Sequence, residues 1–207
     1  MLQGLPPEAR KEAAGVFQPL RVRRGALLYA EGDRADGLYL VREGLLLLER
    51  LGPAEEPATL GVVGPGELLG EEALVGEDRR RAGAVALTYG ELLFAPKDRL
   101  DPLLARFPQV GAWLLEALYR RLRAAEERLW EVRHLSVAQR LARFLLRLGR
   151  EGEVVLSHQD LARMVGATRE TVTKLLGEWA LEGWVELGYR RVEVLDPKAL
   201  ARLAEAL

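Results

Sequence analysis

The sequence predicts an α+β chain with an N-terminal antiparallel β-sandwich or barrel, one long helix, and a C-terminal helix-turn-helix carrying a β-hairpin wing. Three observations predict it. Residues 20–95 are short apolar runs punctuated by glycine, with turn signals about every 8–12 residues, the spacing of antiparallel strands. Residues 109–134 contain no proline and repeat apolar residues in heptads. From residue 153 onward a strand, a helix, a glycine turn, a second helix and a hairpin follow one another at compatible spacing.

The strand region reads as "RVRRGALLYAEGDRADGLYLVREGLLLLER", then "TLGVVGPGELLG" and "AGAVALTYGELLFAP". Leucine is a modest strand former, so "GLLLLER" alone is ambiguous, and the glycine spacing tips it to β. In 109–134, Leu115, Leu118, Leu122, Ala125, Leu129 and Val132 form an unbroken heptad seam. A core helix of one domain would also show apolar periodicity. A helix of about 26 residues, roughly 39 Å long, exceeds what a small domain needs, which favours a dimer seam. Ser136-Val-Ala-Gln139 is a capping-box pattern, so a new helix starts there and closes at Gly149, leaving a hinge near His134–Ser136. The stretch 118–150 holds nine arginines against three glutamates.

After the strand "EVVL", Ser157-His-Gln-Asp160 is a second capping box opening the helix "HQDLARMV". Gly166-Ala167 turns the chain, and Thr168 is a natural N-cap for the next helix. Val172, Leu175, Leu176 and Trp179 give that helix one apolar stripe, leaving Glu170, Thr173, Lys174 and Gly177 on the exposed face and Arg169 at its leading edge. "GWVELGYRRVEVLD" then reads as a hairpin turning at Gly188–Tyr189. The whole is a winged helix-turn-helix.

Composition narrows the function. A chain of 207 residues is long enough for two small cores. Without cysteine there is no disulfide framework and no thiolate metal site, and with only His134 and His158 a histidine-rich metal site is not expected. No basic leader precedes an apolar core, and no apolar run approaches the roughly 20 residues of a membrane span. A cytoplasmic protein is expected. Asparagine and isoleucine are absent and arginine outnumbers lysine 26 to 4, a bias fitting a GC-rich genome and a thermophile. The formal charge of −1 shows no global basic character, so any nucleic-acid contact must be local. An enzyme is not expected. Glu71–Glu72, read as strand residues, would point to opposite faces, His158–Asp160 lies at a helix cap, and no phosphate loop or nucleophile elbow is present.

Three stretches resemble the CRP/FNR superfamily of bacterial transcription regulators, in that family's order and over nearly the whole chain. "GALLYAEGDRADGLYLVREG" is similar to the cyclic-nucleotide-domain glycine framework, with Gly25, Gly32, Asp33, Tyr39 and Gly44 in register. "GELLGEEALVGEDRRRAGAVA" resembles its phosphate-binding cassette, and "LSHQDLARMVGATRETVTKLL" its DNA-binding signature. The resemblance implies a β-roll sensor over 1–108, a dimerisation helix over 109–134 and a winged helix-turn-helix over 135–207.

Arg169 and Glu170 match the family's arginine and glutamate that read G·C pairs, in keeping with their chemistry. A guanidinium bonds guanine O6 and N7, and a carboxylate accepts from cytosine N4. Lys174 stands where an arginine is often found and lacks the bidentate fork. Ser157, Gln159, Thr168 and Thr171 match positions that touch phosphate in relatives, although the serine and threonine caps also serve structure. Arg190 and Arg191 at the wing add positive charge.

The resemblance also implies an effector pocket of Gly70, Glu71, Arg81, Ala82, Arg121, Ala125 and Glu126. Gly70 and Glu71 would hold a ribose and Arg81 a cyclic phosphate. Here Ala82 replaces a hydroxyl donor to the phosphate, and Ala125 and Glu126 replace the pair that meets adenine. Each lost donor leaves a buried group unsatisfied, at about 1–3 kcal/mol. Glu71 and Arg81 are equally readable as a structural ion pair, with Arg121 beside them. The expectation is therefore a homodimeric regulator of palindromic DNA sites that works without cyclic AMP, either free of ligand or with another effector, that has no expected cofactor, and that meets RNA polymerase if it activates. A cyclic-nucleotide-responsive regulator and a regulatory subunit with a protein partner are the alternatives.

Overall fold

A computed structural model of the chain describes residues 2–53, 57–148 and 152–205. The chain divides into two compact units, Met1–Ala125 and Glu126–Leu207, and the division falls inside the long helix.

In the first unit α1 (Pro7–Val16) precedes β1 (Gln18–Val22), β2 (Leu27–Tyr29), β3 (Gly37–Glu43), β4 (Leu46–Leu51), β5 (Pro57–Val63) and β6 (Leu68–Leu69). A 3-10 turn (Glu71–Leu74), β7 (Gly83–Ala86), β8 (Gly90–Pro96), α2 (Lys97–Arg106) and α3 (Pro108–His134) follow. The strands form two four-stranded sheets, ordered β1-β8-β3-β6 and β2-β7-β4-β5. Tyr39, Val41 and Leu92 of the first pack against Tyr29, Leu46, Leu48 and Ala84 of the second, which is the inside of the β-roll. The other face of the first sheet presents Leu38, Leu40 and Ala95 to Ala13 of α1, Leu100 and Leu103 of α2, and Val110, Leu114 and Ala117 of α3. β3 is thus covered on both faces, and "GLYLV" is a continuous apolar run for that reason. Gly44 turns the chain from β3 to β4 with φ 88°, and a Cβ there would collide with the Tyr89 carbonyl oxygen.

The second unit continues α3 and adds α4 (Val137–Leu148), β9 (Glu153–Val154), α5 (His158–Val165), α6 (Arg169–Leu181), β10 (Val185–Gly188), β11 (Arg191–Val194) and α7 (Pro197–Glu205). α3 stops where the sequence breaks it. Ser136 N donates to Gln139 Oε1 at 2.8 Å and Gln139 N donates to Ser136 Oγ at 3.2 Å, closing the first capping box. Buried Arg140 braces that corner, its Nη1 donating to Leu135 O at 2.7 Å and its Nε to Val165 O at 2.8 Å. Leu141, Leu145, Leu161, Val172, Leu176, Trp179, Val192 and Leu200 fill the interior of this unit.

Three expectations are adjusted, and a fourth falls outside the described residues. The strand "EVVL" pairs over Glu153–Val154 only. The hairpin turns one residue later than expected, at Tyr189–Arg190, because Gly188 is still paired with Arg191, and Arg190 takes the left-handed φ of 54°. Glu71 and Glu72 lie in a 3-10 turn and not on a strand, since Gly70 with φ 84° ends β6. The expected helix end at Gly149 lies outside the described residues.

Candidate nucleic-acid interface and effector cavity

α5 and α6 are set by their caps. Ser157 Oγ accepts from Asp160 N at 3.1 Å, and Asp160 Oδ2 accepts from Ser157 N at 3.0 Å. Gly166 ends α5 in the left-handed region at φ 63°, and Thr168 Oγ1 then accepts from Thr171 N at 3.2 Å to begin α6. Three of the four residues matched to phosphate-contacting positions are therefore engaged in caps, and Gln159 is exposed.

The cap of α6 leaves Arg169 and Glu170 exposed in its first turn, while Val172, Leu176 and Trp179 are buried. Lys174 is exposed one turn on, 3.9 Å from Glu178. Ser157, His158, Gln159 and Arg169 share one groove of about 420 Å³ with Gly188, Tyr189 and Arg190 of the wing. The structure thus brings the leading edge of α6, the start of α5 and the wing tip together.

The wing arginines require a correction. Arg190 Nη2 is bound to Asp160 Oδ2 at 3.0 Å. Arg191 lies among Glu153, Glu186 and Glu193 at 3.6, 3.6 and 3.8 Å. Carboxylates close by offset both charges, so the wing is less positive than its sequence suggests.

His158 was not among the expected interface residues. Its Nδ1 lies 3.0 Å from Thr173 Oγ1, joining α5 to α6, and burial followed by the Arg169 charge holds the ring below the usual histidine range. Tyr189, expected only as a turn residue, is exposed at the wing tip. A polar residue beside an expected cap, and an aromatic beside the expected turn glycine, were the available signals.

In the β-roll the expected pocket divides. Glu71 Oε2 accepts from Arg121 Nη1 of α3 at 2.5 Å, and Arg121 Nη1 also donates to Leu68 O at 3.2 Å. Glu71, Arg121 and Ala125 line a cavity of about 430 Å³ with Leu115, Leu118, Tyr119 and Leu122. Gly70 precedes Glu71, whereas Glu126 is exposed and Ala82 is buried away from this lining. Arg81 is a second correction. It is exposed and forks onto Glu77 through Nε and Nη2, both at 2.6 Å. Its backbone N–H donates to Glu72 Oε1 at 3.0 Å.

The inward arginine is Arg80 and not the expected Arg81. It is 2% exposed, donates to Asp36 Oδ1 at 2.8 Å and to Gly37 O at 2.7 Å, and lies 3.4 Å from Glu72 Oε2. Its guanidinium carbon stands 4.5 Å from the Tyr29 ring centre and 5.6 Å from that of Tyr39, a cation–π seat. Burial, then Glu72, pushes the Tyr29 hydroxyl above the usual tyrosine range, so it stays neutral. A Cβ on Gly70 would fall 2.5 Å from Arg80 Nη1, so this glycine makes room for the guanidinium. Arg80 and Arg121 face carboxylates inside the roll and Arg81 one outside it. Arg79, the third arginine of the cassette, is exposed and donates through Nη1 to Gly32 O at 3.1 Å.

On α3, Leu115, Leu122, Leu129 and Val132 are 66, 55, 56 and 56% exposed, and Ala125 is exposed with them. Leu118 differs, being half-buried against the first unit's own core.

Residues 139–203 match the Crp-like helix-turn-helix domain and residues 19–107 the cyclic nucleotide-binding domain. The chain is 37% identical to the cyclic AMP receptor protein of Thermus thermophilus, over 100% of this chain and 97% of that one. It is 40% identical to the transcriptional regulator SdrP of the same organism, over 83% of this chain and 85% of that one. A solved CRP-family transcriptional regulator of Thermus thermophilus superposes with a TM-score of 0.80 at 30% identity, covering 90% of this chain and 97% of that one. With a β-roll, a long helix and a winged helix-turn-helix in that order, the chain belongs to the CRP/FNR family and is a DNA-binding transcription regulator.

Proposed function

We propose that the chain acts as a homodimer on palindromic DNA and holds its DNA-binding form without cyclic AMP. The observation that carries the second half is the internal pairing of the roll, Glu71 with Arg121 and Arg80 with Asp36 and Glu72. Those contacts supply from within the chain the charge that an anionic effector would bring. The exposed apolar residues of α3 support the dimer, because a heptad stripe in water is covered by a second copy. In this reading 1–108 is the sensor, 109–134 the dimer helix and 135–207 the DNA-binding domain. Arg169, Glu170 and Lys174 read bases, Ser157, Gln159, Thr168 and Thr171 follow the backbone, and RNA polymerase is the further partner if the protein activates.

The name of the Thermus relative favours a second reading, in which cyclic AMP is the effector. Selection of bound duplexes from a random pool, without nucleotide, tests the proposal. A palindromic site bound by a dimer is expected. Enrichment only when cyclic AMP is added would overturn it in favour of the second reading.

A further inference from the structure

His158 stands in the groove shared by α5, α6 and the wing, and the assignments above give it no task. The ring is fixed. Nδ1 meets Thr173 Oγ1 at 3.0 Å, and among the described residues Nε2 has no hydrogen-bond partner. Around it are Ser157, Gln159, Arg169, Tyr189 and Arg190, a lining suited to an anion with a sugar beside it.

The charges facing the ring come from three elements. Arg169 projects from α6, which also carries Glu170 and the Glu178-paired Lys174. Arg190 comes from the wing, and Asp160 lies on the ring's own helix. Asp160 is taken up by the Ser157 hydroxyl at 2.6 Å and by Arg190 at 3.0 Å, so it is not free to hold an imidazolium. In the free protein burial and Arg169 therefore keep the ring neutral near pH 7. A phosphodiester entering the groove reverses that balance. It offsets the Arg169 charge and offers an oxygen to an Nε2–H, and a charged donor makes the stronger bond.

We propose that His158 binds a DNA backbone phosphate through Nε2 and takes up one proton per protomer as the phosphate seats. This rests on the DNA-binding role of the domain. The sign follows from the direction of the shift. The ring's pKa is low in the free protein and higher in the complex, so affinity rises as pH falls through the bound value and levels off below the free value. Between the two values affinity gains up to about tenfold per pH unit for each protomer.

The contact ignores base sequence, so a short mixed-sequence duplex is a sufficient probe for the full-length chain. Calorimetry in buffers of differing ionisation enthalpy, from about pH 8 to about pH 5.5 at fixed salt, counts the protons bound. Wild type and His134→Gln should take up protons and bind more tightly as pH falls. His158→Gln keeps an amide within reach of Thr173, and it should still bind, with the uptake lost and the pH profile flattened. If His158→Gln retains the wild-type slope and proton count, the proposal is overturned. Should that variant fail to fold, NMR titration of the two wild-type imidazoles decides, because the His158 pKa must rise when duplex is added, and an unmoved value overturns the proposal. Failure of the wild type to bind any duplex would defeat the DNA-binding role itself, a different result.

Discussion

Arg169 and Glu170 are separable because one donates and the other accepts. If Arg169 bonds guanine O6 and N7, Arg169→Ala should cost about 1–3 kcal/mol on the best site and relax preference at that base pair alone. Glu170→Ala should weaken specific binding while sparing or strengthening binding to random duplex, because a carboxylate near phosphate repels it. Lys174→Ala should weaken binding, flatten the salt dependence and relax base preference less than Arg169→Ala does, since its ammonium acts partly as a point charge. Binding assays at several salt concentrations, on the best site and its single-base variants, test the three together. Equal loss on every sequence for Arg169→Ala would mean that it grips only phosphate. Gly70 gives a prediction about stability. Its left-handed φ and the guanidinium beside it leave no room for a methyl group, so Gly70→Ala should destabilise the chain by about 1–3 kcal/mol in urea unfolding. Unchanged stability would mean that Arg80 yields easily.

Helix α3 serves its own unit through one stripe and leaves another exposed. Val110, Leu114 and Ala117 are buried, whereas Leu115, Leu122, Leu129 and Val132 are exposed. Replacing Leu122 and Leu129 with glutamate should place like charges in the seam and give a folded monomer by sedimentation. Leu118 is unsuited to this test, because a charge there would also disturb the first unit's core. A dimer that survives both changes would show that the seam lies elsewhere. The heptads, both capping boxes and the glycine-spaced strands were legible because local chemistry dictates them. Helices α1, α2 and α7 are not among the elements expected from the sequence. Pro102 sits inside α2 and argues against a helix there, while the signal for α7 was present, as Asp196 Oδ1 accepts from Ala199 N at 2.9 Å and Pro197 takes the first helical position. The inward arginine was illegible for another reason. Arg79, Arg80 and Arg81 are consecutive, and the partners that select Arg80, Asp36 and Gly37, lie more than forty residues away in sequence.

For the whole molecule, the charge pairing of the roll and the reading of DNA form one question, whether occupancy of the first unit sets the affinity of the second. If Glu71–Arg121 and the Arg80 cluster already fill the roles of an anionic effector, the free energy that cyclic AMP could add is small. A ligand shifts a conformational equilibrium only by its differential affinity for the two states. Calorimetry with cyclic AMP should therefore show weak or no binding. Affinity for a palindromic duplex, with half-sites about 34 Å apart as two recognition helices require, should hardly change when the nucleotide is added. Removing the internal pair should alter this. Glu71→Gln weakens the attraction to Arg121 and leaves that guanidinium more available, so DNA affinity should fall in the free protein. The same change should not affect the isolated chemistry of α6, and random-duplex binding by the variant should keep the wild-type salt slope. Sub-micromolar cyclic AMP binding with a large gain in DNA affinity would mean that Arg80 or Arg81 leaves its present carboxylates for the ligand. The internal pairs would then mark the resting state of a nucleotide-driven switch.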